Sequence, residues 1–343
     1  MATASIDVQV ETPRVAIGSV AAAATLSTAM LSTAIVACLL AGYFPLVFSI
    51  VTVFLFAGPH NWMEARYLLA RMPARWGRLR PYFLLGTIGV PMLVAIYAAL
   101  PWMADAGNWT DDAWLSALAA WNSAVIAWVT LLVVLRSRQA PRRDWAAAVP
   151  TAFMLITATW LWPLQFGLAL VYVHPLMALW FLDRELGRQH SALRSTYRRC
   201  LWVVPLLVGV LWWRLADAPA LASDAGLAAR ITEHAGATIL GGVSSHLLVA
   251  THTFLEMLHY GVWLVAIPLV SFAAAPWQVR TLPLARRGRA WRWAIGGVLV
   301  IGAMLVLGFW AGFIADYPAT RDLYFTVAML HVLAEVPFLL RLL

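Results

Sequence analysis

Residues 245–274 read SHLLVATHTFLEMLHYGVWLVAIPLVSFAA, a run without a single arginine or lysine. About 20 such residues in a helix cross the roughly 30 Å hydrocarbon core of a bilayer. The same run carries His252, Glu256 and His259, side chains that are costly at bilayer depth. Its length decides the fold class, and its ionisable residues raise the question of function.

Nine more apolar segments flank it, at 16–42, 44–69, 82–103, 113–135, 145–161, 164–183, 199–215, 291–315 and 322–340. Only the turn at Pro163 (WLWP) separates the fifth from the sixth. Hydrophobic residues make up 62% of the 343 and charged ones 12%, about half the usual charged share of a soluble chain. The expectation is an all-α, polytopic integral membrane bundle of about ten transmembrane helices. Residues 1–343 form one transmembrane domain, with a polar tail at 1–15 and a long outer connection at 216–244. Within that connection GLAARITEHAGATIL is weakly amphipathic and suits a short interfacial helix.

The 24 basic residues are all arginine. Without lysine there is neither a retinal Schiff base nor a Walker A phosphate loop. Cys38 and Cys200 stand alone, which excludes Fe–S clusters and covalently attached haem. The tail MATASIDVQVETPR is polar and acidic, unlike a signal peptide.

Arginines alternate with the segments. One set contains Arg14, Arg66–Arg80, Arg136–Arg143, Arg184–Arg199, Arg280–Arg292 and Arg341, and it holds 21 of the 24. Arg214, Arg230 and Arg321 fall on the other side. The positive-inside rule then makes both termini cytoplasmic, in what is expected to be a bacterial cytoplasmic (inner) membrane. Topology accounts for the +8 charge, so no nucleic-acid partner is expected. RMPARWGRLRP (71–81) and LARRGRAWRW (284–293) also suit lipid phosphates or an acidic protein. Tryptophans near segment ends (Trp102, Trp109, Trp114, Trp160, Trp162, Trp291, Trp293) fit an interfacial belt.

Three of the six glutamates lie inside apolar segments, each four residues after a histidine: His60/Glu64 (GPHNWMEARY), His252/Glu256 (THTFLEMLHY) and His331/Glu335 (MLHVLAEVPF). Residues i, i+4 and i+7 share a helical face, so His252, Glu256 and His259 form one stripe. His174, before Pro175 in VYVHPL, is a further candidate, although a histidine there also suits capping of carbonyls at a kink. His246 stands at the outer end of its segment, and His190 and His234 fall in loops as solvated residues. The candidate metal ligands are therefore His60, Glu64, His174, His252, Glu256, His259, His331 and Glu335. Tyr67, Tyr260, Asn61 and Thr253 are candidate hydrogen-bonding neighbours. Imidazole with carboxylate suits iron, and also manganese or zinc. E-x-x-H with further glutamates on neighbouring helices matches the ligand chemistry of di-iron carboxylate sites.

The histidine boxes of the membrane desaturases and alkane hydroxylases (HxxxH, HxxHH) do not occur. GPHNWME (58–64) is similar over fewer than ten residues to the Pro-His start of the bacteriorhodopsin-related carotene dioxygenases, whose later histidine pair is missing here. The residues themselves point to a non-haem iron enzyme, with one or two ions. It would be an O₂-dependent oxygenase, hydroxylase or desaturase acting on an isoprenoid, carotenoid, fatty acyl lipid or quinone. Membrane lipids, that lipophilic substrate and a separate electron donor are the expected partners. A metal-ion or proton-coupled transporter, and a haem-binding electron-transfer subunit, are the alternatives for the same residues.

Overall fold

The computed structural model describes residues 19–138, 145–222, 226–271 and 278–342. The tail 1–15 with Arg14, and also Arg142 and Arg143, lie outside the described residues. Those described form helices and no strand. In order they are α1 (Ser19–Tyr43), α2 (Pro45–Arg71), α3 (Arg80–Gly107), α4 (Asp111–Ser137), α5 (Ala148–Leu161), α6 (Pro163–Gln189), α7 (Ser191–Cys200), α8 (Val203–Leu215), α9 (Gly226–His234), α10 (Ser245–Gly261), α11 (Ile267–Ser271), α12 (Arg289–Ala315) and α13 (Tyr317–Leu342). A π-helical turn, Val262–Ala266, joins α10 to α11.

The boundaries follow local chemistry. Proline stands in the first turn of α2, α3 and α6, where its missing N–H costs nothing. Asn108, with φ 47°, ends α3 in the left-handed conformation. Thr110 then caps α4 by accepting from the Ala113 N–H at 3.3 Å, with Asp111 and Asp112 in the first turn.

Eight helices among the described residues are long and apolar enough to cross a membrane, which corrects the expectation of ten. The segments at 145–161 and 199–215 form only the 14-residue α5 and the 13-residue α8, each about 20 Å long. Pro163 ends the first of these by opening α6. The second loses its beginning to the amphipathic, arginine-rich α7, which is followed by a turn at 201–202.

Both short helices nevertheless carry the chain from one end of the bundle to the other, as the polar contacts show. At one end Arg71 of α2 pairs with Glu185 of α6, and Arg341 of α13 donates to the Arg71 carbonyl at 2.5 Å. Arg136 of α4 donates to the Arg341 carbonyl at 3.4 Å. Arg194 and Arg198 both fork onto Asp183, and that carboxylate raises the affinity of the Arg198 guanidinium for its proton. At the opposite end Arg230 of α9 pairs with Asp322 of α13, and the Tyr317 hydroxyl donates to the Ile50 carbonyl at 3.0 Å. The chain therefore returns along α5 and again along α8. Helices α2, α6, α10–α11 and α13 all run from this outer end toward the arginine end.

Glu185 is a fourth buried glutamate, placed by the sequence pattern just beyond its span. It is fully buried and accepts from Tyr67 (2.8 Å), Ser271 (3.0 Å), Gln189 (3.2 Å) and Arg71. Tryptophan does more than form a belt. The indole N–H groups of Trp62, Trp121, Trp128 and Trp310 donate to backbone carbonyls of neighbouring helices at 2.8–3.0 Å, because buried indoles need acceptors where water is absent. Gly89 makes one of these contacts feasible, since a Cβ there would sit 2.1 Å from Trp128 Nε1. Apolar side chains such as Phe153, Leu269 and Ile314 point outward, each more than 70% exposed, as on a lipid-facing surface.

Replacing Glu185 with alanine strands the Arg71 guanidinium and three other donors. The expected loss is on the order of 3–5 kcal/mol, against about 1 kcal/mol for Trp121→Phe. Denaturant unfolding in detergent should rank the two variants in that order.

Candidate metal centre

Each functional side chain is aimed by its own helix. On α2, His60 follows Pro59, and its Nδ1 lies 3.0 Å from the Phe56 carbonyl. Nδ1 donates there, so the Nε2 lone pair faces inward, the way metal-binding imidazoles are commonly oriented. Glu64 stands one turn nearer the arginine end. On α10, His259 stands three residues before the π turn, an irregularity frequent at functional sites. On α13, His331 and Glu335 repeat the spacing of His60 and Glu64, and α6 contributes His174.

These side chains converge. Ligand atoms of His60, Glu64, His259 and His331 all lie within 4.8 Å of one another. His174 joins them, its Nε2 3.0 Å from His331 Nε2 and its Nδ1 3.3 Å from Glu335 Oε2. Ring centroids separate His60 from His259 by 5.2 Å, His60 from His331 by 5.1 Å and His174 from His259 by 4.6 Å. Four imidazoles and two carboxylates thus meet from α2, α6, α10 and α13.

His252 and Glu256 are not brought to that point. Glu256 accepts from the Tyr260 hydroxyl at 2.8 Å and lies 3.9 Å from His252 Nδ1. The His252 ring packs on Tyr172 and on His234, 5.1 Å away. Tyr260 links the two groups, because its ring lies 4.4 Å from that of His60. Tyr67 is elsewhere, bonded to Glu185. Thr253 is fully buried, and neither it nor Asn61 hydrogen-bonds the cluster among the described residues. His246 contacts the Gly42 carbonyl at 3.1 Å, away from the site.

His234 departs most from expectation. Helix α9 packs against α2, α10 and α13, and the His234 ring stacks on Phe325 at 4.0 Å. Burial, with His252 and Arg321 close by, holds its imidazole well below the usual range. The weak amphipathicity of GLAARITEHAGATIL was the only sequence signal, and it does not say which partner the helix covers.

A cavity of about 380 Å³ opens beside the cluster. His60, His174, His259 and His331 line it together with His234, His252 and Glu256. Trp114, Leu118, Trp121 and Leu168 form the apolar wall.

The donor set fits a metal ion. His60 Nε2 and both oxygens of Glu64 are buried without a hydrogen-bond partner. Buried polar atoms rarely stay unpaired, and a divalent ion would satisfy several at once. Imidazole with carboxylate and no thiolate suits iron, manganese or zinc. Compared with models of protein families, with curated proteins and with solved structures, the chain matches none. The case therefore rests on this geometry.

Alanine at His60, His259 or His331 is expected to weaken metal binding by more than the roughly 10–100-fold typical of losing an outer hydrogen-bond partner. His252→Ala should retain the metal. Equilibrium titration of the stripped protein separates these outcomes, and equal losses at His252 and His259 would contradict the division into two groups.

Proposed function

We propose that this chain is an integral-membrane, metal-dependent oxidoreductase, an O₂-dependent oxygenase, hydroxylase or desaturase of a lipophilic substrate. In this reading His60, Glu64, His174, His259, His331 and Glu335 hold one or two iron ions, with manganese and zinc as the other metals this donor set suits. The chain lies in a bacterial inner membrane with the arginine end cytoplasmic. The observation that carries the reading is the meeting of six donors from four helices, the four imidazoles among them lining an apolar cavity.

Bound iron would supply the activation of O₂. The protein's own groups set the conditions around it. The Phe56 carbonyl orients His60, and Pro175 and the π turn shape the helix backbone next to His174 and His259. Indole and leucine side chains exclude water and hold an apolar substrate beside the cluster. The Tyr260 ring packs on His60 while its hydroxyl donates to Glu256. Electrons would come from a separate donor, for which the arginine end offers a docking face.

The close edge-to-face packing of the histidine rings leaves little room for a flat macrocycle between an axial pair, which speaks against haem. A carrier would use the same residues as a transient site.

Detergent-purified protein is expected to hold one or two iron-class ions per chain through dialysis, without a Soret band, and Glu64→Ala should lower that content. Metal mass spectrometry with a visible spectrum is the test. Weak, exchangeable binding together with ion uptake into proteoliposomes would favour the carrier instead.

A further inference from the structure

A second pocket, of about 580 Å³, lies at the outer end and is lined by Arg230, Arg321, Asp322, Glu233 and His234. It meets the apolar cavity at three shared residues, Tyr97, His234 and Phe325. The outer pocket is lined mainly by polar side chains, and the adjoining cavity by indole and leucine.

Arg321 is the notable group on the polar side. It is 4% exposed, and its guanidinium lies over the Phe325 ring at 4.6 Å. Nη1 donates to the Arg230 carbonyl at 3.3 Å, whereas Nε has no hydrogen-bond partner. No carboxylate pairs with it among the described residues. Asp322 is held by Arg230, and Glu256, near enough to attract Arg321, gives one oxygen to Tyr260. A buried guanidinium with an unused N–H has the geometry to take a carboxylate.

We infer that the substrate is a carboxylate-headed amphiphile of the fatty-acid class, an inference that rests on the function proposed above. Arg321 holds the head at the outer end. The chain passes Phe325 and His234 and lies in the apolar cavity beside the histidines. His331 stands ten residues beyond Arg321 on α13, about 15 Å along the helix. The carbon next to the cluster is then in mid-chain and not beside the carboxyl group.

The probe is cis-parinaric acid, a fluorescent fatty acid, titrated into the full chain in lipid nanodiscs beside its methyl ester. The acid should bind roughly tenfold to hundredfold more tightly than the ester. Arg321→Gln should erase that preference, Arg321→Lys should restore part of it, and Arg230→Gln should leave most of it. Equal binding of acid and ester by the native protein, or an unchanged preference in Arg321→Gln, overturns the inference. Thermal unfolding of each variant identifies any that fail to fold, and Arg321→Lys then carries the comparison. Metal content is measured on the same samples. Acid preference in a metal-free protein would sink the enzyme reading and leave the amphiphile site, whereas retained metal without acid preference would do the reverse.

Discussion

The buried carboxylates of Glu64 and Glu335 face four imidazoles, with no arginine at ion-pair distance among the described residues. Taking such groups out of water is expensive unless something compensates them. That constraint organises the bundle. Helices α2, α6, α10 and α13 must meet along their polar faces, and the apolar remainder of each is left to pack on its neighbours or to face lipid. The other helices wrap this group, and side chains of α4 and α6 line the cavity beside it.

The two ends of the molecule are unlike. At the arginine end, charges are tied to buried acids, with Glu185 joining α2, α6 and α11 and Asp183 holding α7. At the outer end the charges are sparser, and α9 lines a pocket that shares Tyr97, His234 and Phe325 with the cavity. Buried ion pairs are thus concentrated at one end and pocket space at the other. Indole-to-carbonyl bonds between helices bridge the two, and they act where a bilayer offers no competing water.

Much of the site was legible because helical spacing is strict. His60 with Glu64, and His331 with Glu335, had to share a face each, and they do. The stripe His252–Glu256–His259 misled for a reason of length, since seven residues rise about 10 Å, too far for one metal site. The four donor helices run in parallel, so Glu64 and Glu335 fall one turn from the histidines toward the arginine end. Glu256 falls one turn to the opposite side of His259. The span count failed similarly, because apolar composition does not reveal that Pro163 and the α7 turn shorten two segments.

Composition and periodicity alone determined that this chain is a helical bundle built for an apolar surround, with arginines gathered at one end and ionisable pairs on particular helix faces. These properties depend on residues close together along the chain. The tertiary structure decided which faces meet, that His174 completes the cluster while His252 does not, and that His234 and Arg321 turn toward a common space. Such outcomes depend on the depth, direction and tilt of helices far apart in sequence, set by packing across the whole bundle.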